Sequence, residues 1–201
     1  MNSVILDTGP CLNFLSVGQG NLMHETLKIK YGQLYVPREV ATEIADKSAD
    51  SQKFAKASKI FGAFVRDSMI DVLESDAEND FELVQAIREV SPLPPAELLI
   101  RRRKDLGEIM VVAHAIKLRD HGYNVRLVID DRGGQALAER HGFEVVSTVR
   151  ILATAASLGL VDYSDMKMIY ERLRPSDGSE PMDNGLPHWD STDLSNKRLY
   201  K

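Results

Sequence analysis

Along the chain, short apolar runs alternate with longer stretches whose apolar residues recur every three or four positions. The runs "SVIL" (3–6), "LYV" (34–36), "MIDVL" (69–73), "VRLVI" (125–129) and "FEVV" (143–146) are short and nearly all apolar. That pattern predicts strands buried on both faces. The stretches 10–30, 38–65, 78–90, 95–121 and 133–141 carry helical spacing. Alternating strand and helix predicts an α/β fold whose sheet is mostly parallel and covered on both sides.

Two junctions repeat. "RDHGYNVRLV" and "AERHGFEVVS" both end a helix with His-Gly, then an aromatic, then a strand. Gly122 and Gly142 are suited to the left-handed position that closes a helix, with the aromatic covering the last turn. His121 and His141 then sit at the negative end of a helix dipole, a structural role rather than a metal-binding one. His114, in "VVAHAIKL", reads as a packed or surface residue of a helix. "STVRILATAASLGLVDYSDMKMIYERLR" predicts two helices split near Gly159. After Pro175 the chain turns polar and turn-rich. We therefore expect one domain over 1–174 and an extension over 175–201, mobile or with one short helix after Asp190. Trp189 reads as docking that extension onto the body.

Composition narrows the function classes. The chain has 201 residues, 25 basic and 30 acidic, for a net charge of −5. That balance argues against a surface that grips nucleic acid everywhere, but it allows a basic strip beside an acidic pocket. The single cysteine, Cys11, excludes an intramolecular disulfide and fits a reducing compartment, the cytoplasm. Within "PCLNFL" it reads as a small buried residue. "MNSVILDTGP" has no basic n-region, and no run approaches about 18 apolar residues, so neither a signal peptide nor a membrane span is expected.

The chemistry lies in the acids. Asp7 ends the first strand, and Asp130 and Asp131 end a later one. Glu43 falls in the first turns of a helix after a short strand, and Asp105 and Glu108 fall at another helix start. Singly, each has an ordinary explanation. Asp7 can be an N-cap, Asp105 with Glu108 has capping-box spacing, and Asp130 or Asp131 can cap the next helix. Glu43 can lie on a solvated helix face. Together they are harder to dismiss, because open parallel sheets bind ligands at the carboxyl ends of their strands. Two carboxylates about 4 Å apart repel by roughly 4 kcal/mol at an effective dielectric near 20. Either some acids stay protonated or a cation is bound. Oxygen ligands without a Cys or His cluster select a hard ion, Mg²⁺ or Mn²⁺. Such an ion suits phosphodiester hydrolysis, since it activates water and stabilises the leaving oxygen.

In order and spacing, "VILDTGPCLNFL", "VPREVATEI", "DLGEIMVVAHA" and "LVIDDRGGQALAERHGFEVVSTVRIL" resemble the PIN domain. This is the fold of metal-dependent ribonucleases that includes VapC-type toxins. The resemblance implies a three-layer α/β/α fold with a central five-stranded parallel sheet. It implies a Mg²⁺- or Mn²⁺-dependent endoribonuclease with RNA as substrate, a cognate antitoxin as partner, and room for a homodimer. By position, Asp7, Glu108 and Asp130 would be the principal metal ligands, with Asp131 an extra neighbour. Glu43 would complete the catalytic quartet, and Thr8 would hydrogen-bond a ligand carboxylate or water. The related motif carries Leu-Asp-x-Gly-Glu, whereas this chain has Lys104-Asp105-Leu106-Gly107-Glu108. Asp105 is thus a supporting candidate. The insert over 44–95 and the C-terminal extension are longer than in compact toxins, which bears on substrate and partner.

Arg101, Arg102, Arg103 and Lys104 directly precede the Glu108 helix, and Arg132 follows the aspartate pair. Beside an acidic metal site they would hold RNA phosphates; the ordinary alternative is a solvated helix face. Two other functions compete. A PIN-like module can bind RNA or protein without cutting. A haloacid dehalogenase-like phosphatase would use Asp7 as nucleophile, but its second acid falls where this chain has Gly9.

Overall fold

A computed structural model describes residues 1–76, 79–95, 97 and 105–173. Five strands, β1 (Asn2–Leu6), β2 (Gln33–Pro37), β3 (Asp71–Leu73), β4 (Asn124–Val128) and β5 (Glu144–Val146), form one sheet. Its order is β3-β2-β1-β4-β5, and every pairing is parallel. In central β1, Val4, Ile5 and Leu6 are fully buried, as expected of a strand covered on both faces. Edge strands β3 and β5 are short and only partly buried. The expected three-layer α/β/α fold is therefore present.

Helices α1 (Thr8–Ser16) and α2 (Gly20–Tyr31) lead from β1 to β2; α3 (Arg38–Asp50) and α4 (Ala57–Arg66) lead on to β3. After β3 come α5 (Phe81–Val90) and α6 (Leu106–Asp120), then β4, α7 (Arg132–Arg140), β5, α8 (Thr148–Ser157) and α9 (Tyr163–Leu173). Helix α2 packs on β1 and β2, and α6 packs on β1, β2 and β4. Among the described residues no helix is long and apolar enough to cross a membrane.

Several expected boundaries shift, for local reasons. The stretch 10–30 is two helices, broken where Gly18 turns left-handed at φ 76°. The stretch 38–65 is also two, joined by a single 3-10 turn at Gln52–Phe54. The strand expected over 69–73 begins only at Asp71. The amides of Met69 and Ile70 bond back to the Phe64 carbonyl (2.8 and 3.3 Å) and so belong to the end of α4. Of the helix expected over 95–121, the part over 98–104 lies outside the described residues, as does the extension 175–201 with Trp189.

The His-Gly junctions behave as the sequence suggests. Gly122 and Gly142 have φ of 82° and 79°. Tyr123 and Phe143 donate their amides to Leu118 and Ala138 carbonyls (3.0 and 3.1 Å), five residues back. This is the bond pattern of a Schellman end. His121 and His141 are the C-cap residues. The split near Gly159 is present, between α8 and α9.

The topology fixes where a site can form. From β1 the chain moves outward through β2 to β3, then returns to place β4 against the other side of β1. The strand order reverses between β1 and β4, which is where open α/β sheets leave a crevice at the carboxyl edge. Asp7 follows β1 there, its amide bonded to the Val128 carbonyl of β4 at 3.0 Å. Asp130 and Asp131 follow β4.

Candidate metal centre

A cleft of about 750 Å³ opens at this switch point. Asp7, Glu43, Asp105, Glu108 and Asp131 all line it, together with Thr8 and Gly107. Residues far apart in sequence thus meet because β1, α3, α6 and the end of β4 converge on one edge.

Asp7 is the N-cap of α1, and its Oδ2 accepts a long bond from the Gly9 amide, 3.4 Å. It is only 8% exposed. Burial pushes its carboxyl up to about 6, with Glu43 adding to the effect and the amides of Thr8 and Gly9 opposing it. Glu108, in the first turn of α6, is pushed up to about 7. Burial is the largest cause there, followed by the charges of Asp131, Asp7, Asp105 and Glu43. Both acids resist ionising in a space that holds mostly negative charge, the condition a divalent cation would relieve.

Glu43 is held at both oxygens. Its Oε2 accepts from the buried Thr8 hydroxyl at 2.7 Å, and its Oε1 pairs with Lys47 at 2.7 Å. Thr8 therefore does hydrogen-bond one of the candidate carboxylates. Asp105 precedes α6 but makes no side-chain cap bond, so the capping-box alternative is not realised.

Two glycines shape the space between the acids. A Cβ on Gly107 would lie 3.1 Å from Glu43 Oε2 and 3.7 Å from Asp7 Oδ1. Only a hydrogen fits comfortably between those two carboxylates. A Cβ on Gly134 would lie 2.8 Å from Ile129 Cγ2 and 3.2 Å from Glu108 Cδ. Helix α7 thus abuts the Glu108 side chain closely.

The adjacent aspartates have separate jobs. Asp131 is exposed, caps α7 by accepting from the Gly133 and Gly134 amides (2.7 and 3.2 Å), and lines the cleft. Asp130 is turned aside. Its Oδ1 accepts from the Thr148 amide at 2.7 Å; its Oδ2 accepts from the Thr148 hydroxyl at 2.5 Å and from Asn13 Nδ2 at 3.0 Å. It remains a neighbour of the site, since a Cβ on Gly9 would lie 4.0 Å from Asp130 Cβ and 3.8 Å from Asp7 Oδ2. Asp7 and Glu108 line the cleft, whereas the Asp130 oxygens face Thr148 and Asn13. Among the described residues, no three Asp, Glu, His or Cys side chains are grouped so as to hold a metal ion. The donor set still suits a hard divalent ion: it is all oxygen, partly desolvated and self-repelling.

Of the expected phosphate-binding residues, Arg132 is exposed in the first turn of α7, next to Asp131. Arg101, Arg102, Arg103 and Lys104 lie outside the described residues. Cys11 is fully buried, and burial pushes its thiol up, away from nucleophilic use.

Sequence reasoning missed the rest of the α3 wall, where Arg38, Glu39, Thr42, Asp46 and Lys47 also line the cleft. For three of them the signal was available: Glu39, Asp46 and Lys47 flank Glu43 at helical spacing of three and four. Asn13 and Thr148, the partners of Asp130, carried no such signal. Behind the wall, Ser75 donates to Glu39 Oε2 at 2.7 Å and contacts His114 Nε2 at 3.2 Å. His114 is 4% exposed, and burial lowers its pKa to about 4, so it is a neutral packed residue near neutral pH.

No curated protein sequence matches this chain. Among solved structures it is similar to VapBC2 from Rickettsia felis bound to a DNA fragment from their promoter. The TM-score is 0.48 and the identity 15%, covering 72% of this chain and 98% of that one. A family model described as DUF3368, PIN domain, matches residues 3–178. The chain therefore belongs to the PIN domain family.

Proposed function

We propose that this protein is a metal-dependent endoribonuclease that hydrolyses RNA phosphodiester bonds. The observation that carries the reading is the meeting of Asp7, Glu43, Glu108 and Asp131 in one cleft at the sheet's switch point. Asp7, Glu108 and Asp131, which line the cleft, would hold Mg²⁺ or Mn²⁺, and Asp130 would join them by exchanging a bond to Thr148 or Asn13 for the ion. When bound, such an ion lowers the pKa of water and offsets charge on the phosphate and leaving oxygen.

The chain's own residues supply placement. Thr8 fixes the rotation of Glu43 by its hydroxyl. Gly107 and Gly134 keep side-chain bulk away from the acids. Thr148, at the start of α8, and Asn13, within α1, hold Asp130 by hydrogen bonds. Asp131 orients its carboxylate by capping α7. Arg132, with Arg101, Arg102, Arg103 and Lys104, would take phosphates flanking the scissile bond, where the acids themselves repel RNA.

A cognate antitoxin partner is the further part of this reading, and it rests on the likeness of the sequence motifs to VapC-type toxins. The experiment is incubation of the purified chain with total RNA, with and without Mn²⁺, followed by mapping of new ends. Cleavage that needs Mn²⁺ and is lost in Asp7→Asn and Glu108→Gln is the expected result. RNA binding that Mn²⁺ does not alter, with no new ends, would instead identify a non-catalytic binding module.

A further inference from the structure

Glu43 differs from its neighbours in already holding a cation. Lys47 stands one turn further along α3, lines the cleft, and places its ammonium 2.7 Å from Glu43 Oε1. The other oxygen of Glu43 is held by Thr8, whose residue is 2% exposed. Among the described residues, Glu108 makes no ion pair, and the Asp7 carboxylate accepts from the backbone amides of Thr8 and Gly9.

An exposed pair four residues apart on a helix usually does little. This one is placed differently. Its carboxylate faces the space beside Gly107, close to Asp7 Oδ1, and its lysine also lines the cleft. A second divalent ion beside the first would need further carboxylate oxygens free to ligate it. Here both oxygens of Glu43 have donors, and a divalent ion on Oε1 would meet the ammonium of Lys47.

We propose that Lys47 acts as the second cation of this centre, neutralising Glu43 and limiting the site to one divalent ion held by the remaining acids. The proposal rests on the metal-dependent reading given above and deepens it. A tethered ammonium supplies positive charge on the α3 side of the cleft without exchanging with solvent, whatever the metal concentration.

The test is calorimetric titration of the full, EDTA-stripped chain with Mn²⁺ alone, in wild type, Lys47→Met and Lys47→Arg. Wild type and K47R should take up one ion per chain, and K47M should take up two. A parallel readout is the Mn²⁺ dependence of RNA cleavage, whose order should rise from first in wild type to second in K47M. Lys47 is an exposed helix residue, so folding should survive; Lys47→Gln provides a second neutral variant, and thermal melts check both. Two ions in wild type, or one ion in wild type and in both neutral variants, would overturn the role of Lys47 while leaving a metal site standing. No Mn²⁺ uptake by any of the chains would overturn this proposal and the metal-dependent reading together.

Discussion

Replacing Asp7 by Asn should stabilise the metal-free protein, and the size of the gain can be worked from its surroundings. The carboxyl moves from 3.8 to about 6 on folding, chiefly through burial. A difference of ~2 pKa units corresponds to ~3 kcal/mol. The sign follows from linkage: a carboxyl whose pKa rises on folding binds more protons folded than unfolded. Its contribution is intact below the unfolded value of 3.8 and is lost as pH rises through about 6. Wild type therefore carries the whole penalty near pH 8 and roughly half of it near pH 5. Asn does not titrate, and its carbonyl can still accept from Gly9. In EDTA near pH 8, D7N should gain ~3 kcal/mol, which for a domain of this size is roughly 6–12 °C in Tm. Near pH 5 that advantage should fall to roughly half. Saturating Mn²⁺ should raise the Tm of wild type more than that of D7N, since ligand binding stabilises by mass action. Urea or thermal melts at both pH values, with EDTA and with Mn²⁺, measure every quantity needed. A D7N chain less stable than wild type near pH 8 in EDTA would refute the reasoning. So would a stability difference that does not change with pH.

Other perturbations separate the remaining roles. Asp130→Asn should act oppositely to D7N. It places an amide group against the donors of Thr148 or Asn13 and should cost about 1.5–3 kcal/mol in EDTA by urea denaturation. Gly107→Ala inserts a methyl 3.1 Å from Glu43 Oε2; Mn²⁺ affinity by calorimetry should weaken roughly tenfold or more, although alanine favours the helix by up to about 1 kcal/mol. His114 has a folded pKa lowered from 6.5 to about 4, so the unfolded chain binds more protons between those values. Wild type should lose up to about 3 kcal/mol of that contribution as pH falls through this window, and melts of His114→Gln should lack this acid-side slope.

The fold was legible wherever a local pattern had one physical meaning. Val4, Ile5 and Leu6 read as a strand buried on both faces because no polar residue interrupts them, and they are. His121-Gly122 and His141-Gly142 read as helix ends because a left-handed residue there closes the last turn, and the Schellman bonds are present. Boundaries were less legible because helical spacing runs through a break. The apolar positions of 10–30 keep nearly the same period on either side of Gly18, so only the tertiary turn reveals two helices.

At the site, the sequence identified the acids but not how they divide the work. Two adjacent carboxylates at a strand end look equivalent in one dimension. In three they face different partners, because successive residues leaving a strand point to opposite sides. Asp131 turns to the amides of α7 and the cleft, whereas Asp130 turns to the start of α8. Capping and metal binding also need not compete. An aspartate that caps a helix is held rigidly by backbone amides, and its remaining lone pairs stay available. Asp7 and Asp131 both cap a helix and both line the cleft. The ordinary explanation of each acid is thus part of how the fold presents it. Burial, with like-charge repulsion added to it, is what makes Asp7 and Glu108 hard to ionise, and the D7N melts would measure that combined penalty at Asp7.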